Sequence, residues 1–419
     1  MRRRVAITGL GAVTPLGNTA DETWQGLLAG RSGVGPITDF DASGFPVRIA
    51  GLVKDFDVEA RVADRRLTRH LHRAARFGIA AVAESLGASG LQPGDCAPQD
   101  MGVAMGGSPE RPNLQELAAM TLWMEDQQGP MPRAEPSTVL RRSPNLHVAA
   151  IALLAGAQGP LLSLSTACSS SAHAIGEAYR LVQEGSARVM LAGGYDALTA
   201  YLDVLGFALL GALTTDHQDE PQLASRPFDA QRSGFVIGEG AVAVVLEDWE
   251  LARSRGARIL AEVAGYGTSM NAWRVTDSPP DGGGAITAIS HALAESGVDP
   301  TTVGYVAAHG TSTPGNDLSE TNALKAVFGE HAYRLAISSP KSMSGHLTAA
   351  AGGLNVLAAI GAIRDGAVPP TINLDHPDPA LDLDYVANTA REITVETALV
   401  DAFAFGGTNA CLVLRRPTD

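Results

Sequence analysis

The stretch "LSTACSSSAHAIGEA", Leu164 to Ala178, sets Cys168 among small residues just ahead of an amphipathic helical pattern. A thiol there meets the free N–H groups and dipole of a helix start, which favour the thiolate, the form that attacks carbonyl carbon. A cysteine that merely fills space is the ordinary alternative, and Cys96 and Cys411 fit it. Three further segments tip the balance. "VAAHGTSTPGNDLSE" carries His309, "SSPKSMSGHLTAAAGG" carries Lys341 and His346, and "AFAFGGTNACLVL" breaks a strand at Gly406 and Gly407. One such histidine is usually a structural hydrogen-bonder. Two imidazoles, an ammonium and a helix-opening cysteine, all at expected strand ends, together point to a reactive site.

These groups need strand ends to gather them, as in open α/β sheets. Short apolar runs alternate with alanine-rich helical stretches, the pattern of a layered α/β protein. Strands are expected at Arg4–Gly9, Gly102–Met105, Leu161–Ser165, Arg188–Ala192, Gly240–Glu247, Ile259–Tyr266, Val303–Ala308, Leu335–Ser338 and Asp401–Leu414, the last around its glycine break. Helices fit Thr68–Gly87, Ser169–Glu184, Gly284–Gly297, Asp317–Phe328 and Thr348–Asp365. The chain reads as two successive α/β halves, residues 1–255 and 256–419, related by duplication. Prolines and charges break any period at Gly106–Arg142 and Thr214–Ser233, which read as irregular insertions.

Composition narrows the function classes. With 419 residues, 45% hydrophobic and 18% charged, the chain has room for a large core. Three widely spaced cysteines suit neither a disulfide framework nor a paired zinc site, so a reducing compartment, the cytoplasm, is expected. Gly9, Gly11 and Pro15 interrupt the apolar opening before it reaches signal-peptide length, and no apolar run is long enough to span a membrane. A formal charge of −14 argues against nucleic acid. "ITGLGAVTPLG" has Thr14 where a dinucleotide fingerprint wants a third glycine, and no G-x-S-x-G elbow supports a serine hydrolase. His70 and His72 sit on a basic helical stretch, where solvent or a partner is expected rather than a metal.

The ordered set "TACSSS", "HGTSTPGND", "KSMSGH" and "FGGTN", with "VAITGLGAVTPLG" and "SRPFDAQRSGFVIGEGA" before them, resembles the β-ketoacyl-acyl-carrier-protein synthases of the condensing-enzyme, thiolase-fold family over essentially the whole chain. The likeness is to elongating ketosynthases of fatty-acid and type II polyketide systems. It implies a duplicated five-layered α/β/α/β/α core, usually dimeric, that extends an acyl thioester by a malonyl unit. The resemblance makes Cys168 the acyl carrier, His309 and His346 donors to the malonyl-derived enolate, and Lys341, tied to Glu320, their support. It gives the backbone N–H groups of Cys168 and Phe405 to an oxyanion hole, Phe405 to a gate with Gly406 and Gly407, and Thr311 and Thr313 to the pantetheine arm.

It further implies acyl carrier protein as partner, Arg66 and Arg69 as basic docking positions, and a homodimer or a heterodimer with a chain-length-factor-like subunit. No cofactor or metal is expected, since substrates arrive on the carrier's phosphopantetheine. Three departures stand out: Ala404 for glycine before the gate, Ser171 for a glycine after the nucleophile, and Ala307 for an asparagine before the Ala-His pair. They bear on gate mobility, helix packing and the nearby hydrogen-bond network. The segment from Gly107 to Asn145 matches the family only at "PST". A degradative thiolase would use a second cysteine near the carboxyl end, but Cys411 lies within an apolar run; a non-elongating chain-length factor would lack Cys168.

Overall fold

The computed structural model describes residues 2–126 and 137–418. Its main sheet has ten strands, numbered here β1 (Val5–Val13), β2 (Met101–Gly107), β3 (Leu161–Leu164), β4 (Val189–Ala197), β5 (Glu239–Asp248), β6 (Ala261–Met270), β7 (Val303–Ala307), β8 (Ala336–Ser338), β9 (Thr397–Phe403) and β10 (Thr408–Arg415). Their spatial order is β8-β7-β9-β10-β6-β1-β5-β4-β2-β3. The seam is narrow: β1 and β6 pair only where Val5–Ile7 meets Val263–Ala261.

On either side of the seam the strands repeat one plan. Counted within its half, each sheet runs third, second, fourth, fifth, first. The second strand is parallel to the third and fourth, and the fifth is antiparallel to the fourth and first, in both halves. The duplication expected from the sequence is therefore a repeat of topology.

The helices that matter here are α1 (Arg73–Ser89), α2 (Leu114–Asp126), α3 (Ser170–Glu184), α4 (Tyr201–Leu209), α5 (Gly283–Ser296), α6 (Pro314–Phe328) and α7 (Ala351–Asp365). Helices α3 and α7 lie between the two halves of the sheet, each packing on strands of both, while α1 covers the outer face of one half and α5 with α6 the other. This gives five layers. The central position explains why α7 is buried from Ala351 to Ile363, as a helix apolar on all sides must be. It also explains Gly176 in α3, where an added Cβ would come within 2.4 Å of the Tyr266 ring.

Three expectations are corrected. The helix read over Thr68–Gly87 is broken: a short helix Arg65–Thr68 ends before α1 begins at Arg73. The break is tertiary in origin, because Arg73 donates from Nε to buried Glu239 at 2.8 Å and the ring of His72 packs on His147 at 4.5 Å. His72 is thus buried and does not face solvent. The insertion Gly106–Arg142 is not irregular throughout; it holds α2 and a short helix Ser137–Arg141, with Arg142 ion-paired to Glu116 and Arg141 to Glu110. Residues 127–136 of that insertion lie outside the described residues. Helices Ala20–Leu28, Pro144–Ala155 and α4 were not anticipated.

Candidate active site

Cys168 occupies a single 3-10 turn, Ala167–Ser169, between β3 and α3. Ala167 takes φ +48°, a left-handed conformation costly for any residue with a Cβ, and this sharp turn presents the thiol. The turn is held from below. Ser170 accepts from the N–H of Thr166 at 2.8 Å and donates to the carbonyl of Ala167 at 2.7 Å. Ser171 resolves one departure: its buried Oγ accepts the N–H of Gly353 at 2.9 Å, tying α3 to the start of α7. The hydroxyl does not loosen the packing but joins the two central helices.

Cys168 is half-buried, whereas Cys96 and Cys411 are buried. The backbone N–H groups of Phe405 and of Cys168 itself point at its sulfur, and Lys341 adds positive charge nearby. Desolvation outweighs these, and the thiol is pushed up to about 12. The thiolate expected from the helix start is therefore not the resting form. Removing the proton has to accompany attack on the thioester.

His309 and His346 meet across the same recess, their ring centroids 5.5 Å apart at 81°. Burial holds both well below the usual histidine range, with Lys341 acting in the same direction, so both are neutral near pH 7. The backbone N–H of Thr348 donates to Nδ1 of His346 at 3.2 Å, so the ring proton sits on Nε2. The His309 backbone N–H donates to Glu320 Oε1 at 2.6 Å, and that of Gly310 to Oε2 at 2.7 Å. Asp196, at the end of β4, accepts from Thr348 Oγ1 at 2.6 Å and from the N–H of Ala349 at 3.0 Å, and so fixes the turn after His346. The sequence reading missed it; an Asp ending the apolar run "VMLAGGYDA" was the available signal.

Lys341 is buried, and its Nζ has no hydrogen-bond partner. The expected tie to Glu320 is corrected: two backbone N–H groups engage that carboxylate, and Lys341 acts on it only through charge. Burial lowers the Lys341 ammonium and raises the Glu320 carboxyl. Beside Ala307, Asn355 Nδ2 donates to the carbonyls of Ala307, Ala308 and Asp401 at 3.2, 2.9 and 2.9 Å, while Asn355 Oδ1, His309 Nδ1 and both carboxylate oxygens of Asp401 are buried with no hydrogen-bond partner among the described residues.

A cavity of about 50 Å³ joins these groups, lined by Cys168, His309, His346, Thr311, Thr313 and Phe405 among others. Thr311 and Thr313 share a hydroxyl contact of 2.7 Å at its mouth. Gly406 and Gly407 do not line it. Their φ values of +85° and +80° make the turn that carries Phe405 over the sulfur, with Ala404 N–H donating to the Thr408 carbonyl at 2.9 Å. Phe235, Asn316, Phe403 and the loop Thr276–Ser278 also line the cavity and were not singled out from sequence. For Thr276–Ser278 the signal was only polar, turn-rich composition.

The basic stretch that holds the docking positions is divided between two helices. Arg66 and Arg69 are exposed on and just after Arg65–Thr68, with Arg66 paired to Asp64 at 2.7 Å. Arg73 is taken by Glu239 on the next helix.

The beta-ketoacyl synthase amino-terminal domain model matches residues 2–252 and the carboxyl-terminal domain model residues 260–375. A 3-oxoacyl-[acyl-carrier-protein] synthase 2 of Synechocystis is 42% identical over 99% of this chain and 98% of its own length. Among solved structures, a type II polyketide acyl carrier protein in complex with its ketosynthase bound to the hexaketide matches at TM-score 0.89 and 33% identity, covering 100% of both chains. The ishigamide ketosynthase/chain length factor matches at TM-score 0.88 and 33% identity with the same coverage. On these matches, and on a sheet that repeats one plan around a cysteine and two neutral histidines, the chain belongs to the beta-ketoacyl synthase family.

Proposed function

We propose that Cys168 accepts the growing acyl chain and that His309 and His346 act on the malonyl unit, within the decarboxylative condensation by which this acyltransferase elongates fatty-acid or type II polyketide chains. In the first half-reaction Cys168 Sγ attacks the thioester carbonyl, the carrier thiol leaves, and the thiol proton passes to it. The N–H groups of Cys168 and Phe405 lie by the sulfur, where the carbonyl oxygen gains charge, an effect worth roughly 2.7–4 kcal/mol per donor. In the second, the malonyl carboxylate leaves as carbon dioxide and its electron pair forms an enolate. Nε2 of His346 donates to the enolate oxygen and His309 stands opposite as the second donor. The enolate carbon then attacks the acyl carbonyl, and the electron pair of the broken C–S bond returns to Cys168.

The observation that carries these roles is the Thr348 N–H on His346 Nδ1, which leaves a neutral donor aimed into the cavity of Cys168. Lys341 and Glu320 set the local charge, and Thr311 and Thr313 receive the pantetheine arm. No cofactor beyond the carrier's phosphopantetheine enters this chemistry. Acyl carrier protein is the partner, docking at Arg66 and Arg69, and Gly406 with Gly407 lets Phe405 move aside. The half-exposed edge strand β3 favours a second subunit, a copy of this chain or a chain-length-factor-like relative, such as the solved ketosynthase/chain length factor contains. We place the domain boundary at residues 255/256, between the two repeats of the strand plan, and the protein in the cytoplasm, where its three free thiols suit a reducing medium.

Intact-mass analysis after incubation with acyl carrier thioesters tests the first role. A mass gain confined to Cys168 supports it, and a gain elsewhere or none overturns it.

A further inference from the structure

The turn after His346 is strained, and it is held from the other half of the chain. Thr348 takes φ +44°, a left-handed conformation that is costly for a β-branched residue and persists only where its surroundings over-determine it. Both flanks of the turn are fixed. The backbone of His346 is bonded on two sides, its N–H to the Val236 carbonyl at 2.7 Å and its carbonyl from the Gly238 N–H at 2.9 Å. Beyond the turn, Gly353 donates to Ser171, and an added Cβ on Gly352 would come within 2.8 Å of Ala172 Cβ. The peptide between Leu347 and Thr348 is therefore the piece free to rotate if φ relaxes. Its N–H is the one that donates to His346 Nδ1.

Asp196 opposes that rotation. Its Oδ2 accepts from Thr348 Oγ1 at 2.6 Å, from the Ala349 N–H at 3.0 Å and from Ser108 Oγ at 3.2 Å, while Oδ1 accepts the N–H of Ala197 at 3.1 Å. The carboxyl group arrives on a strand with little room to yield. β4 is laddered between β2 and β5, with Asp196 opposite Gly240, and an added Cβ on Gly194 would meet Ser171 Cβ at 2.7 Å and the Ala349 carbonyl oxygen at 2.8 Å. Asp196 and Thr348 are both buried, which strengthens the bonds between them. The Ala349 N–H is available whatever residue stands at 348, but the hydroxyl bond requires Thr or Ser.

We propose that Asp196 and Thr348 are positioning residues for decarboxylation: by gripping the Thr348 hydroxyl across the two halves, Asp196 keeps the Thr348 N–H on His346 Nδ1 and so keeps the donor proton on Nε2. Neither residue lines the Cys168 cavity, so both act through His346. The inference rests on the reading of His346 as a donor to the malonyl-derived enolate.

The test measures carbon dioxide release from malonyl carrier and, separately, acylation of Cys168 in the full-length protein. Thr348→Val keeps the branched shape with its strain and removes the hydroxyl. Release should fall by roughly tenfold, within the ~10²-fold that a misplacement of about 1 Å can cost, as a loss in kcat with little change in KM, and acylation should fall less. Thr348→Ser returns the hydroxyl and should recover most of the rate. Thr348→Gly lacks the hydroxyl but takes positive φ without strain, so its rate should lie above that of Thr348→Val. Asp196→Asn must turn its amide NH₂ toward one of the two backbone N–H groups and should resemble Thr348→Val. Parent rates in Thr348→Val or Asp196→Asn, a Thr348→Ser variant as slow as Thr348→Val, or equal loss of release and acylation would each overturn the proposal. His346→Ala, run alongside, separates the two layers. If it is slow while Thr348→Val is not, only this inference falls; if it releases carbon dioxide at the parent rate, the reading of His346 falls and this inference with it.

Discussion

In the amino-terminal half the third strand, β3, runs into Cys168 and then into α3; in the carboxyl-terminal half the third strand, β8, runs through Lys341 and His346 into α7. The second strands lead on likewise, β2 into Ser108 and β7 into His309 two residues beyond its end; of the fourth strands, β4 carries Asp196 as its penultimate residue and β9 is followed two residues on by Phe405. The same three strand ends therefore supply nucleophile and carboxylate clamp on one side, imidazoles and gate on the other. Their edges differ as well. Residues of β3 alternate between exposed and half-buried, whereas all of β8 and every residue from Ser338 to Ala350 is buried. A thiol that must meet a carrier-borne chain stands on the open half. Imidazoles that must stay neutral stand on the closed one, where desolvation does that work.

The sharpest way to break this division is Cys168→Ala. Covalent acylation should vanish, since Cys96 and Cys411 are buried and only Cys168 lies in the recess with the two histidines, and the melting temperature should hardly move because the turn rests on Ser170 and Ser171. Intact mass and thermal unfolding read both. Residual acylation of the variant would remove the nucleophile from this half.

His309→Ala and His346→Ala should act on the other half. Release of carbon dioxide from malonyl carrier should fall by roughly 10²–10³, with acylation of Cys168 less affected. Equal loss of both steps would make the imidazoles structural. The closed half also predicts a pH signature. A buried neutral histidine has a folded pKa below its unfolded value, so its stabilisation is present above about 6.5 and is lost as pH falls below that. Between pH 7 and 5.5 the parent should lose about 1 kcal/mol more unfolding free energy than His346→Gln. Denaturant titrations at the two pH values measure this, and parallel losses would mean that His346 is not held neutral by burial.

Much of this contrast was legible in the residues. Each chemical motif stood at the end of an apolar run, and strand ends gather sites, so Cys168, His309 and His346 could be brought together before any fold was known. What stayed hidden depends on contacts across the chain. Nothing in "RLTRHLHRAARFG" breaks a helix locally; Glu239 and His147, far along the sequence, do so. The burial that raises the Cys168 thiol comes from both halves at once, while its helix-start location was visible and pointed the other way. The prolines flanking α2 concealed a helix, because composition records where a period is interrupted but not where it resumes.

Ser171 joins the halves, and Ser171→Ala sharpens the comparison from their seam. The buried N–H of Gly353 would lose its acceptor, at about 1–3 kcal/mol. Thermal unfolding should register that loss, and carbon dioxide release should decline more than acylation, since the start of α7 follows the His346 turn. A variant with unchanged stability would show that water replaces the hydroxyl and that the seam does not depend on it.

Ala404→Gly should have the smallest effect. Glycine matters where φ is positive, and that condition holds at Gly406 and Gly407 but not at Ala404, which is absent from the left-handed residues of the chain. Ala404 is instead fixed by two backbone bonds, its N–H to the Thr408 carbonyl and its carbonyl from the Gly407 N–H, each 2.9 Å. The hinge freedom of the Phe405 turn thus resides in the two glycines after the gate, and Ala404, one residue past the end of β9, is held by the bonds that close the turn. Replacing it by glycine should lower stability by about 0.4–1 kcal/mol through the added freedom of the unfolded chain, with acylation rates for short and long chains each altered by less than about twofold. A selective gain for long chains would show that Ala404 restrains the gate, moving the hinge from the glycine pair into β9 and making the carboxyl-terminal half less rigid at its mouth than its buried strand ends imply.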